Sequence, residues 1–196
     1  MMQKRRLQRF SSLARRQDGL AAIEFAMVLP VMLIMLMGTI ELSNLLAAER
    51  RTESVAATLA DLVARDDSIT QAEVTDIFFA AESVMADMDS SSLQMVITSI
   101  EASGSNAVVG WRRAKNSAPD STGSTVSDLP SGIMAAGGSI IRVRVTYPYT
   151  LMTMGTSNYK QTASGPVMAY DMGNAHTIRK TFYMRPRLVP KIPNPT

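Results

Sequence analysis

One carboxylate, Glu24, lies inside the most apolar part of the chain, five residues after Gly19. An ionised side chain at the centre of a membrane-spanning helix costs about 2.5–3.5 kcal/mol on insertion scales, and less toward the membrane surface. The residues alone leave open whether the Glu24 side chain extends to the lipid headgroups or serves a function that justifies this cost.

The segment around Glu24 has the length of a membrane-spanning helix. Residues 20–40 are apolar except for this one ionisable group, and at about 1.5 Å per residue they span roughly 30 Å, the thickness of the hydrocarbon core. Apolar residues then return at three- and four-residue steps from Leu42 to Val63. This spacing predicts that the same helix continues to about residue 65.

Basic residues are concentrated before this helix. Six of the 20 lysines and arginines lie in residues 1–18 with one acidic residue, which leaves 14 basic and 16 acidic residues for the rest of the chain. The positive-inside rule therefore predicts a cytoplasmic N-terminus, a single pass, and the bulk of the chain across the membrane. Because that bulk is mildly acidic, it offers no global cationic face for nucleic acid, and we expect no nucleic-acid partner.

After residue 65 the pattern changes from one long helix to shorter elements. Thr70 and Glu73 fit a capping box for a second amphipathic helix of about residues 70–88. Strand-like segments at 93–100, 107–115, 139–149 and 177–185 follow, and a Ser-, Gly- and Pro-rich surface loop separates the second from the third. In the third, aliphatic residues alternate with Arg142 and Arg144, which predicts one buried and one solvated face.

These elements predict an α+β protein in four parts. Residues 1–19 are a basic cytoplasmic leader, residues 20–65 a transmembrane and extended helix, and residues 66–185 an α+β domain with a small antiparallel sheet. Residues 186–196 hold four prolines, and we expect an extended, partly disordered tail.

No catalytic set emerges from the residue types and their spacing. The chain has no cysteine, which excludes disulfides, thiolate metal sites and a cysteine nucleophile. Its one histidine, His176, has no paired metal ligand at helical spacing. The basic run from Trp111 to Lys115 is typical of a solvated strand end. We expect no enzyme activity, no metal and no cofactor.

The stretch "GLAAIEFAMVLPVMLIMLMGTIELSN", residues 19–44, resembles the N-terminal motif of the TadE-like family, the minor pseudopilins of the tight-adherence (Flp, Tad) type IV pilus system. The motif covers 26 of the 196 residues, and its ordered combination is specific. The matching positions are Gly19, Ala21, Ala22, Glu24, Phe25, Ala26, Leu29, Pro30, Gly38 and Glu41.

The resemblance implies that a prepilin peptidase cleaves between Gly19 and Leu20. Glu24 then occupies the fifth mature position, beside Phe25, and serves assembly by pairing with the new amine on Leu20 of a neighbouring subunit. The fold implied is pilin-like, with the domain in the periplasm and the helix in the bacterial inner membrane.

The function that the resemblance implies is initiation or tip assembly of the Tad pilus used for surface adhesion. The implied partners are the prepilin peptidase, other minor pseudopilins, the major Flp pilin and the Tad assembly platform. The alternative from the residues is an uncleaved, single-pass anchor that carries a periplasmic binding or sensor domain.

Overall fold

The computed structural model of the chain describes residues 18–85, 88–104, 106–118, 120–134, 137–150, 159–162, 165–168 and 175–196. Most of the predicted leader, residues 1–17, lies outside the described residues. The helices and strands, in chain order, are α1 (Asp18–Arg65), α2 (Gln71–Ser83), β1 (Gln94–Ser103), β2 (Asn106–Lys115), β3 (Ser139–Thr150), β4 (Tyr159–Thr162), β5 (Gly165–Met168) and β6 (Ala175–Met184).

The predicted α+β class, with a long helix, a second helix and an antiparallel sheet, is confirmed. The four predicted strands correspond to β1, β2, β3 and β6, which form one sheet in the order β2-β1-β3-β6. All neighbours in that sheet are antiparallel. The short pair of β4 and β5, a separate two-stranded sheet, was not predicted.

The chain divides into two units, residues 1–44 and residues 45–196. Helix α1 contributes residues 18–44 to the first unit and residues 45–65 to the second. In the second unit, small and aliphatic side chains of α1 recur every three or four residues and enter the core, so this half of the helix is part of the domain. The buried positions include Ala48, Val55, Ala56, Leu59, Ala60 and Val63.

Strand alternation gives the main sheet an inner and an outer face. On the inner face, Ile97 of β1 pairs with Val143 of β3, and Met95 pairs with Val145. These residues join the same core as the buried side chains of α1 and α2. Both helices therefore contribute to the core on the inner face.

The predicted capping box at the start of α2 is confirmed. The Thr70 backbone N–H donates to Glu73 Oε2 at 2.7 Å, and the Glu73 N–H donates to Thr70 Oγ1 at 3.3 Å. The helix ends at Ser83, five residues before the predicted end. At that end Val84 and Met85 donate to carbonyls three residues back, Ala81 and Glu82, so a tighter turn replaces the α-helical bonding.

The capping box makes α2 sensitive to mutation and to acid. We expect Thr70→Ala to lower the free energy of unfolding by about 1 kcal/mol, because the Glu73 N–H loses its acceptor. The bond from the Thr70 backbone, then the bond from its hydroxyl, hold the pKa of Glu73 below its ordinary value of 4.5. Glu73 therefore stabilises the fold fully above that value, and this stabilisation is lost as the pH falls through the lower pKa of the folded state.

Urea unfolding of the full chain in detergent, followed by circular dichroism at neutral and acidic pH, measures both effects. Glu73→Gln is the matched variant because it has no carboxylate to protonate, and its unfolding should lose this part of the pH dependence. Thr70→Ala should keep much of it, since the backbone donor remains. Equal pH dependence in wild type and Glu73→Gln would contradict the assignment.

The C-terminal residues 186–196 form neither helix nor strand, with bends at residues 187–191, and the expected partial disorder is wrong. Ile192 is fully buried in the core. Its carbonyl accepts the Trp111 indole N–H at 2.8 Å, and the Pro190 carbonyl accepts the Ser139 backbone N–H at 3.0 Å. A proline has no N–H to donate to a sheet, but its carbonyl remains an acceptor, so a proline-rich segment can bind the domain in this way.

Candidate functional site

The predicted cleavage site lies within α1. Gly19 and Leu20 are both helical, and residue 18 is the first residue that the structure describes.

Glu24 lies one helical turn beyond the predicted site. Residues four apart on a helix share a face, and Leu20 and Glu24 are separated by about 6 Å along the axis. Both side chains are exposed, with 59% of Leu20 accessible. Phe25 is 60% exposed, and as the next residue after Glu24 it points to a different side of the helix. Leu20 and Glu24 thus lie on one face of the helix, and Phe25 lies on an adjacent side.

The helix around these residues has an uncovered apolar surface. Every residue from Leu20 to Leu36 is exposed. Apolar side chains in such a continuous run are unfavourable in water and mark a surface that lipid or another protein covers. The most exposed of them are Met27, Ile34 and Met35.

Two hydroxyl groups farther along α1 are bonded within the helix itself. Thr39 Oγ1 donates to the Met35 carbonyl, and Ser43 Oγ donates to the Thr39 carbonyl, each at 2.8 Å. A hydroxyl bonded four residues back needs no water, so these residues are compatible with an apolar environment. Helix α1 is also continuous through Pro30, with residues 26–30 helical.

A second polar cluster lies on the outer face of the main sheet, and the sequence pattern did not indicate it. The Arg142 side chain is only 4% exposed, and its guanidinium donates to Asp120 at 2.6 Å and to Asp128 at 2.8 Å. Arg144 lies 3.7 Å from a carboxylate oxygen of each. The solvated face predicted for β3 is therefore wrong at Arg142, because a loop that the strand pattern cannot place covers it.

The basic run in β2 is built into the domain. Trp111 is 2% exposed. Arg113 donates to the Gln71 side chain at 2.7 Å and to the Pro195 carbonyl at 2.6 Å, and Lys115 pairs with Glu82 at 2.7 Å. The side chains that were predicted to form a solvated strand end instead join β2 to α2 and to the C-terminal segment.

The described residues of the helix and the domain show no cluster of metal-ligand side chains. Within the part of the chain that the structure describes, no group of three or more His, Cys, Asp or Glu residues could hold a metal ion. His176 is exposed and pairs across the sheet with Tyr149.

The fold and the helix motif define a class of protein. Among the described residues, one helix is long and apolar enough to cross a membrane, and the candidate span is Leu20–Arg65 of α1. The chain is thus an α+β domain with one long apolar N-terminal helix that fits a single-pass membrane anchor.

A comparison with known proteins agrees with the helix motif. A family model described as TadE-like protein matches residues 19–61, so the TadE-like resemblance of the helix motif is confirmed. No curated protein and no solved structure matches the chain.

Proposed function

We propose that this chain is a minor pseudopilin of the Tad/Flp pilus, cut by a prepilin peptidase between Gly19 and Leu20. The mature protein acts in initiation or tip assembly of the pilus used for surface adhesion. Its work is structural and not enzymatic, and it needs no cofactor.

The single observation that carries this proposal is the position of the motif. Gly19, Glu24 and Phe25 fall inside the TadE-like match at residues 19–61, in a helix whose residues from Leu20 to Leu36 are exposed. A leader boundary followed directly by an uncovered apolar helix suits a subunit that first rests in a membrane and then packs against other subunits.

The chemistry of assembly follows from the new amino terminus. Cleavage converts the Leu20 amide into an amine, whose ordinary pKa of about 8 leaves it mostly protonated at neutral pH. Two opposite charges removed from water stabilise each other only when they are well aligned. A pair between Glu24 of one subunit and the Leu20 amine of the next therefore fixes the axial position of neighbouring helices.

The ionic contacts of the domain support a structural role. Lys180 of β6 lies 3.8 Å from Glu49 and 3.9 Å from Glu53, both on α1. Lys115 and Glu82 similarly join β2 to α2. These charged groups hold the domain's own elements together.

The proposed arrangement in the cell follows from the charge distribution. The basic leader stays in the cytoplasm, α1 crosses the inner membrane once, and the α+β domain lies in the periplasm. The proposed partners are the prepilin peptidase, the other minor pseudopilins, the major Flp pilin and the Tad assembly platform, with no nucleic acid.

Mass spectrometry of the membrane-extracted protein, with and without a co-expressed prepilin peptidase, tests the proposal. We expect the mass of residues 20–196 with the peptidase and the full-length mass without it. A peptidase-dead variant is the control for expression. A chain that keeps its leader beside an active peptidase is instead the uncleaved anchor of a periplasmic binding or sensor domain.

A further inference from the structure

A loop segment occupies the edge of the main sheet as an added strand does. We name residues 120–128 the lid. The Val109 N–H donates to the Ser124 carbonyl at 3.0 Å, the Gly123 N–H to the Val109 carbonyl at 2.8 Å, and the Val126 N–H to the Ala107 carbonyl at 2.8 Å. Strand β2 is an edge strand of the four-stranded sheet. The lid therefore satisfies main-chain groups that β2 otherwise offers to another chain.

Two carboxylates also hold the lid on the outer face. Asp120 and Asp128, at its two ends, both bind the nearly buried Arg142, and both lie within 4 Å of Arg144. The Thr98 hydroxyl, beside Arg142 in the sheet, donates to Asp120 at 3.4 Å. The lid thus combines main-chain pairing at the edge with charge pairing on the face.

The surface near the lid includes apolar side chains. Ile100 pairs with Val109 of β2 and with Ile140 of β3, and all three are at most 2% exposed. Ile100 and Ile140 are separated by an even number of residues from Thr98 and Arg142, so they share the outer face with them. This face thus carries an apolar patch, an arginine pair and a strand edge side by side.

The lid and the sheet together line an open polar pocket of about 230 Å³. Its lining includes lid residues together with Val109, Arg142 and Arg144. Apart from Val126, the lid has only Asp, Ser, Thr and Gly side chains, so it leaves the sheet without exposing much apolar surface of its own. The Asp120 and Asp128 side chains are 31% and 60% exposed, so water screens their pairing with Arg142.

We infer that the lid is an intramolecular substitute for an acidic, extended segment of a partner protein. That segment adds a strand at Ala107–Val109 and places its carboxylates on Arg142 and Arg144. Main-chain pairing at an exposed edge is a general mode of peptide binding, and side chains supply its specificity. Arg142 and Arg144 are suited to a closed lid and to a bound partner, because water, the lid or a partner's carboxylates can each accept their hydrogen bonds. The inference does not depend on cleavage after Gly19.

The first experiment opens the lid and observes the strand edge. In the full chain in detergent, residues 120–128 are replaced by a glycine-serine linker of the same length, and a second variant carries Asp120→Asn with Asp128→Asn. Hydrogen exchange of the Val109 amide should be at least tenfold faster in both variants, while the β1 amides that pair with β3 keep their protection. Unchanged protection of Val109 in the Asn variant would overturn the role of the charges.

The second experiment supplies the segment in trans. A fluorescein-labelled peptide with the sequence of residues 120–130, DSTGSTVSDLP, is titrated with each protein and followed by anisotropy. We expect the linker variant to bind it at least tenfold more tightly than the wild type, whose own lid competes. The matched peptide with both aspartates changed to asparagine should bind at least tenfold more weakly. Absence of binding to the linker variant, or equal binding of the two peptides, would overturn the inference.

Discussion

We expect Gly19→Phe to leave a full-length precursor in cells that contain the prepilin peptidase, and the wild-type chain to be converted to residues 20–196. The proposed scissile peptide follows Gly19, and a glycine lets catalytic groups approach the backbone closely because it has no Cβ. A phenyl ring at this position occupies the space that the peptidase needs. Intact mass spectrometry of the membrane fraction measures the cleaved share, which we expect to fall from nearly complete to undetectable.

A second glycine of the same helix provides the control. A Cβ added at Gly38 would have no neighbouring atom within 4 Å, so Gly38→Phe adds the same ring to α1 without a clash inside the chain. Gly38→Phe should be cleaved as well as the wild type. If Gly19→Phe is also cleaved after residue 19, the peptidase does not select glycine there and the proposed site is wrong.

Glu24→Ala is still cleaved but does not support piliation. The alanine leaves the mature amine on Leu20 without its partner, and breaking a buried ion pair by removing one member costs about 3–5 kcal/mol. That cost corresponds to a loss of assembly of roughly a hundredfold or more. Sheared pili, quantified by immunoblot and counted by electron microscopy, measure the result, and mass spectrometry of the same cells confirms that cleavage is intact.

Two further substitutions separate charge from size at this position. Glu24→Gln keeps the length and the hydrogen-bonding oxygen but removes the charge, and it should fail as Glu24→Ala does. Glu24→Asp keeps the charge on a shorter side chain and should retain part of the piliation. Normal pili from Glu24→Ala would contradict an assembly role for this residue. Normal pili from Glu24→Gln would indicate that a neutral hydrogen bond is sufficient in place of the ion pair.

The sequence predicted those parts of the molecule that depend on neighbours along the chain. Helix α1 was predicted because a charge-poor run and a three-to-four-residue apolar spacing are local signals. The capping box at Thr70 and Glu73 involves residues only three apart. The four main strands were predicted within three residues at most of their ends, because alternation and Gly-, Ser- and Pro-rich breaks mark them locally.

The sequence did not predict contacts between segments far apart along the chain. Arg142 is 22 residues from Asp120 and 14 from Asp128, and an arginine that alternates with aliphatic residues usually indicates a solvated face. The β4–β5 pair was missed as well, since its strands are only four residues each. Short strands carry too few alternations to be recognised.

By itself the sequence determined the order of the two helices and the four main strands, the apolar helix, and the glycine and glutamate of its motif. Each of these is encoded by residue types within one or two helical turns. Only the tertiary structure decided that Arg142 is buried beneath a loop and that the proline-rich end is held by Trp111 and Ser139. Those contacts join residues from 14 to 81 positions apart, and their partners are fixed by packing, which no local pattern records.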